Sequence, residues 1–326
     1  MSPCVRHLGA VALVVGCFGD VARSIEPDSL HARLTIPAMA YDDGFGTSLR
    51  EPSGICLDTA AGEVFVADAA NGRVVIYDRG LTALYSFRHY VQDPASGYVS
   101  AGQPKGVAVT SQGDIALIDA VSDRLDLLDF RGRVIDHVRL NRLVGDTTLH
   151  LKAACITVDA ADQFYVAVNG DLTTVLVLDA DLGLIRRISD KGDSAHQLST
   201  PVGIAVFNGR VFVGDLYGLP AVKVFDTLGG YLFGLGKHDV ERPDLTFPGG
   251  FGFLDDGSGG TLILVMDAIR QVVKVYSADG TFLTMIGGQG RLPGQFQYPS
   301  GLVSDGRSSF YVLERVGRRV QQFLLK

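Results

Sequence analysis

One pattern recurring in phase constrains this chain more than any single residue does. It runs Pro-x-Gly-apolar-x-apolar-Asp, a turn, an apolar strand closing on an acid, a short loop, and a further strand closing on an aromatic residue and Asp. The first copy is Pro52-Ser53-Gly54-Ile55-Cys56-Leu57-Asp58, then Val64-Phe65-Val66-Ala67-Asp68, then Asn71-Gly72-Arg73-Val74-Val75-Ile76-Tyr77-Asp78. The pattern restarts at Pro104, Ala153, Pro201, Pro248 and Pro299, which makes six copies spaced by roughly 50 residues. No copy can bury its apolar positions alone, so neighbouring copies must stack.

A copy of this size holds four short strands, the content of one propeller blade. The chain is therefore expected to be all-β, a six-bladed β-propeller of four-stranded blades occupying residues 31–326. Composition agrees, since 40 Gly, 17 Phe and 11 Tyr in 326 residues supply tight turns and packed, pleated surfaces. The last copy has room for three strands, near 300–305, 309–314 and 318–325. An open strand edge invites aggregation, so the fourth is expected from the N-terminal segment Ala32 to Ala40, where Arg33-Leu34-Thr35-Ile36 has the pattern of a strand. Two copies depart from the pattern. The third has Ala153 and Cys155 for Pro and Gly and Val168 for the acid, and the fifth inserts Asp256-Gly257-Ser258-Gly259-Gly260 between its first two strands.

From Pro52 to the C-terminus these copies resemble the NHL repeat family. The likeness is clearest where Gly287-Gly288-Gln289-Gly290 leads through Gly294-Gln295-Phe296 to Tyr298-Pro299-Ser300-Gly301. The resemblance implies a propeller, and propellers serve as binding scaffolds and as enzymes alike, so function has to be argued from sites.

Upstream of the repeats, Arg6 and His7 form a weakly basic start, Leu8 to Val15 an apolar stretch, and Val14-Val15-Gly16-Cys17 resembles a bacterial lipobox. Residues 1–16 are then expected to be a lipoprotein signal peptide, Cys17 the acylated first mature residue, and 17–30 a linker. An ordinary secretory signal cut near Ala22 is the rival expectation. Asp is absent just after Cys17, which by the sorting pattern of such lipoproteins favours the outer membrane. Beyond residue 20 no run of about 18 apolar residues is present to span a bilayer. A net charge of −7 argues against a surface for nucleic acid or anionic lipid. The local basic spot of Arg315, Arg318 and Arg319 is expected to be solvated or paired.

The acids closing the second strands are Asp68, Asp119, Asp215, Asp267 and Glu314. Repetition places them at equivalent points, as a ring on one face able to attract cations or a basic peptide. Arg73, Arg124 and Arg319 follow three of them by five residues, across a strand-to-strand turn, a spacing suited to structural pairing. Asp215 and Asp267 lack that Arg and are the better functional candidates in the ring. His150, His196 and His238 precede the innermost strands of blades three, four and five, at unequal distances. If the imidazoles converge on the channel they suit a divalent metal, as the resemblance implies through the peptidylglycine amidating lyase; if not, they are exposed loop residues. Cys56 and Cys155 fall at different points of their repeats, so they are expected to be buried free thiols rather than a disulfide.

The chain carries no nucleophile elbow, zinc-helix motif, P-loop, dinucleotide fingerprint or haem-attachment motif in a fitting context. The leading expectation is a non-catalytic binding or scaffold propeller at the bacterial cell envelope, offering one face to a protein, peptide or glycan, with no assigned cofactor. The alternative is a metal-dependent lyase or lactonase-like hydrolase working in the central channel, with Asp215 or Asp267 as ligand or base.

Overall fold

The computed structural model describes residues 27–92 and 96–326. The expected signal peptide, Cys17 and the linker up to residue 26 lie outside the described residues. The chain forms six four-stranded antiparallel sheets arranged as a six-bladed β-propeller. Blade one comprises Pro52–Asp58, Glu63–Asp68, Arg73–Asp78 and Ala83–Arg88, from the axis outward. The innermost strands of the next five are Pro104–Val109, Leu151–Val158, Pro201–Phe207, Pro248–Asp255 and Pro299–Ser304. Each of these packs on its successor, and the last packs on the first, so the ring is closed. A short hairpin, Tyr90–Gln92 with Val99–Ala101, is added after blade one. Among the described residues no helix is long and apolar enough to cross a membrane.

Closure is made by the two ends of the chain. Leu34–Ala40 pairs antiparallel with the last strand, Arg319–Leu325, running from Leu34 opposite Leu325 to Ala40 opposite Val320. It is the outer fourth strand of blade six. The sequence expectation placed its start at Ala32, but a short helix, Pro27–Arg33, occupies the chain up to Leu34. Leu30 of that helix packs into the apolar layer between blades five and six.

The Pro-x-Gly signature has a steric cause. Every innermost strand carries a register shift between the Pro and Gly positions of the signature, as between Pro52 and Gly54 or Pro299 and Gly301, and in blade three between Ala153 and Cys155. The shift turns the residue at the Gly position against the next blade. A Cβ on Gly54 would lie 2.6 Å from the Lys105 carbonyl oxygen, and one on Gly203 the same distance from that of Pro248. These are backbone atoms that no rotamer change can move. The intervening residue ties the blades together. Ser53 Oγ donates to Pro104 O (2.9 Å), Lys105 Nζ to Ala153 O (3.0 Å) and Ser300 Oγ to Pro52 O (2.8 Å). Blade three keeps the same register shift with Ala153 and Cys155 in place of Pro and Gly, so it is a full blade.

The core lies in six layers between blades. Second and third strands are buried on both faces, and because side chains alternate, each strand serves two layers. Val64 and Val66 pack toward blade six, whereas Phe65 and Ala67 pack toward blade two. In blades one to four an Asp at the end of the third strand caps the following turn: Asp78 accepts the Thr82 amide, Asp129 that of Arg133, Asp179 that of Gly183, and Asp226 those of Leu228 and Gly230. The insertion over Asp256–Gly260 is a loop between the first two strands of blade five and leaves its sheet intact.

Replacing Gly54 by Ala is expected to cost about 1–3 kcal/mol through overpacking against the blade-two backbone. Denaturant unfolding of the variant measures it, and an unchanged midpoint would rule out the steric account.

Candidate functional site

An antiparallel four-stranded blade sends its strand-two-to-three loop and its link to the next blade to the same end of the ring. That end, called here the upper face, holds the five acids. The central channel has a volume of ≈ 530 Å³ and is walled by the innermost strands, with Ile269, Tyr298 and Arg315 at the upper mouth.

The acids do not lie on the surface. Asp68, Asp119, Asp215, Asp267 and Glu314 are all buried. Each uses its oxygens to hold the link that enters its own blade. Asp68 accepts the Arg50 amide (2.7 Å), Asp119 that of Gln103 (2.7 Å) and Glu314 that of Gln297 (2.7 Å). Asp215 accepts both Ser199 and Thr200 amides at 2.7 Å, and Asp267 those of Thr246 (2.8 Å) and Phe247 (3.2 Å). A carboxylate satisfied in this way fixes the loop that carries the chain back to the axis.

The cations that neutralise these carboxylates vary from blade to blade. Arg73 Nε meets Asp68 at 2.7 Å and Arg319 Nε meets Glu314 at 2.5 Å, as the five-residue spacing led one to expect. Arg124 instead pairs with Asp126, and Asp119 faces the buried ring of His89, whose Nε2 lies 3.4 Å from Asp119 and 3.7 Å from Asp126. His89 lies in the link after blade one, outside the repeat, and so escaped the sequence reading. Burial holds its pKa below the ordinary histidine value, although both carboxylates pull the other way. Neither ring nitrogen has a hydrogen-bond partner among the described residues.

Asp215 and Asp267 are not unpaired exceptions. Lys223 Nζ is 2.7 Å from Asp215, both fully buried, and Asp267 has Arg270 at 3.7 Å and Lys274 at 4.0 Å. In their strands Lys223 and Lys274 stand two residues beyond the place of Arg73, on the same side of the pleat, so a longer-reaching amine replaces the Arg. That two-residue offset is the signal that a search confined to the five-residue spacing misses. Burial opposes the Asp215 charge, but the Lys223 hydrogen bond and the two amides outweigh it and hold its pKa below the ordinary value. Blade three, with Val168 in the core at the acid position, moves the task into the loop, where Asp171 accepts the His150 amide at 2.8 Å.

The three histidines do not share a site. His150 and His196 are exposed, and both ring nitrogens of His238 face carbonyl oxygens, Leu245 and Asp215, at 2.9 Å. Among the described residues no three His, Cys, Asp or Glu side chains are grouped to hold a metal ion. Cys56 and Cys155 are free and wall the channel, and burial pushes both thiols up to about 12.

Beside exposed charges such as Arg315, Arg318 and Glu51, the upper face exposes several large apolar side chains. The strand-two-to-three loops put Val121 (60% exposed), Tyr217 (73%), Ile269 and Val316 (59%) into solvent in blades two, four, five and six. Phe45, Tyr90, Val240, Leu292 and Tyr298 join them from the links between blades.

Two buried pairs yield expectations for stability. Lys223→Met leaves the Asp215 carboxylate buried without its cation and is expected to cost about 3–5 kcal/mol, with part recovered in Asp215→Asn/Lys223→Met; equal loss in both by denaturant titration would show that the pair is not coupled. Lys274 differs because its Nζ makes no hydrogen bond and burial lowers its pKa to about 8. The unfolded chain, with a lysine pKa of about 10.4, then binds more protons than the folded one above pH 8, so this group adds stability as pH rises from about 8 to about 10.4. Lys274→Met is expected to remove that rise without lowering the melting temperature at pH 7.

Known proteins resemble the chain at two levels. A family model for the NHL repeat matches residues 49–77, which span the link into blade one and three of its strands. No curated protein sequence matches the chain. Among solved structures, a gluconolactonase from Xanthomonas campestris superposes with a TM-score of 0.58 at 17% identity, over 90% of this chain and 89% of that one. The virginiamycin B lyase from Staphylococcus aureus gives 0.55 at 12% identity, over 90% and 99%. The Myceliophteria thermophila Cps50 (Swd1) β-propeller domain gives 0.53 at 10% identity, over 90% and 100%. Likeness at such identities carries the fold and nothing finer. With its six four-stranded sheets closed into a ring, the chain is a six-bladed β-propeller carrying an NHL repeat.

Proposed function

We propose that this chain is a non-catalytic binding propeller of the bacterial cell envelope, which engages a protein or peptide partner through its upper face. The observation that carries the proposal is a set of exposed apolar side chains at matching loops of that face. The acids beneath the loops are consumed by amides and cations, while Val121, Tyr217, Ile269 and Val316 stand in solvent around the channel mouth. Aromatic and aliphatic side chains exposed in several neighbouring loops mark an interaction surface. A place in the envelope rests on the lipobox-like Val14-Val15-Gly16-Cys17, with the Cys17 acyl group as tether to the outer membrane.

Pull-down from membranes with the intact chain tests this. Val121→Ser, Tyr217→Ser and Val316→Ser combined are expected to abolish capture of a partner that the parent retains, with the melting temperature unchanged. The gluconolactonase and the lyase among the structural neighbours set the opposing outcome. Stoichiometric metal in the purified protein, with a turnover abolished by His150→Ala or His196→Ala, would replace this function by the enzymatic one.

A further inference from the structure

The channel wall contains one charge that repeat architecture does not explain. Its lining is apolar or small, with Ile55, Val107, Ile156, Ile204, Phe251 and Leu302 contributed by the six blades in turn. Lys105 and Arg315 are the charged members, and no Asp, Glu or His lines it among the described residues. Arg315 sits at the mouth and is paired with Glu51. Lys105 has no acidic partner. Its position, the middle residue of Pro-x-Gly, is Ser53, Ala154, Val202, Gly249 and Ser300 in the other blades. Ser53 and Ser300 make the same hydrogen bond to the next blade that Lys105 makes, so tying blades together requires a hydroxyl and not an ammonium.

An ammonium has three N–H donors, and one of those of Lys105 is used, on Ala153 O. Burial lowers the pKa of this half-buried lysine, and no acidic side chain lines the channel among the described residues to oppose that. A carboxylate in the channel would give the ammonium a charged hydrogen-bond partner.

We propose that the central channel binds a small monocarboxylate with an apolar body, the carboxylate on Lys105 near the upper mouth and the body against the apolar wall. The ≈ 530 Å³ of the channel falls within the size of pockets that enclose small organic ligands. A dicarboxylate is disfavoured because no second unpaired cation lines the wall among the described residues. The proposed carboxylate contact uses Lys105 on an innermost strand and does not rest on the docking reading, although Ile269 and Tyr298 belong both to the channel mouth and to the exposed apolar set.

Calorimetric titration of the intact chain with octanoate, and with octan-1-ol as its uncharged counterpart, tests the assignment. Octanoate is expected to bind saturably at one site. Lys105→Ser copies Ser53 and Ser300 and keeps the tie to blade three, and it is expected to weaken octanoate about tenfold or more while leaving octan-1-ol unchanged. In the parent, octanoate affinity should fall as pH is raised through the titration of Lys105 at constant ionic strength, because the carboxylate stays ionised there. Non-saturable octanoate binding, equal affinity in Lys105→Ser, or a flat pH profile would each overturn the assignment.

Discussion

The backbones of neighbouring innermost strands meet in direct contact at the ring axis, and the rest of the structure is arranged around that contact. A Cβ at Gly54 or Gly203 has no room against a carbonyl of the following blade. Close approach sets the diameter of the channel, and therefore how much of the wall is side chain and how much is peptide. It also demands the register shift in each innermost strand, which leaves the carbonyl of the leading residue free to accept from the blade before it. Blade three shows that the contact, not the letter of the motif, is what is kept. Asn169, from its second strand, supplies the donor to Pro201 O, and Cys155 stands where glycine is usual.

Above that contact, the buried acids act as anchors for the links between blades. They convert five potential surface charges into internal hydrogen bonds, and the desolvation this entails is offset by cations that differ in type and position. The freedom to use Arg or Lys follows from alternation along the third strand, where residues two apart reach the same point, whereas the His89 ring reaches Asp119 from the link after blade one. The surface above carries exposed charges together with apolar loop residues that no anchor needs, and recognition is assigned to the latter.

The fold was legible in the sequence because its causes are local and repeated. Gly at the axis and Pro at the entry recur in five of the six blades, and Asp at the third-strand turn in four, because each serves a contact made repeatedly around the ring. The closing strand was legible because the last copy is one strand short, although the helix that ends at Arg33 moved its start to Leu34. The site was less legible. Pairing of Asp215 with Lys223 depends on which face of a pleat a side chain takes, and His89 reaches Asp119 from outside the repeat. Val121, Tyr217, Ile269 and Val316 each stand two residues after the acid of their blade, a periodic position, but their residue types vary and a short loop carries no alternation that marks a side chain as exposed. Lys105 is visible as an oddity among Ser, Ala, Val and Gly, but its meaning needs the absence of acids from the channel wall, which is a fact of three dimensions.

The closing strand also gives the ring a polarity. Leu34 lies beside Leu325 and Ala40 beside Val320, so the chain joins blade six at the rim opposite the apolar loops and climbs toward them. The helix Pro27–Arg33 therefore feeds the closing strand from its lower end. The strand that seals the ring and the loops that carry the exposed apolar side chains thus begin at opposite ends of it, so a change at one end need not disturb the other.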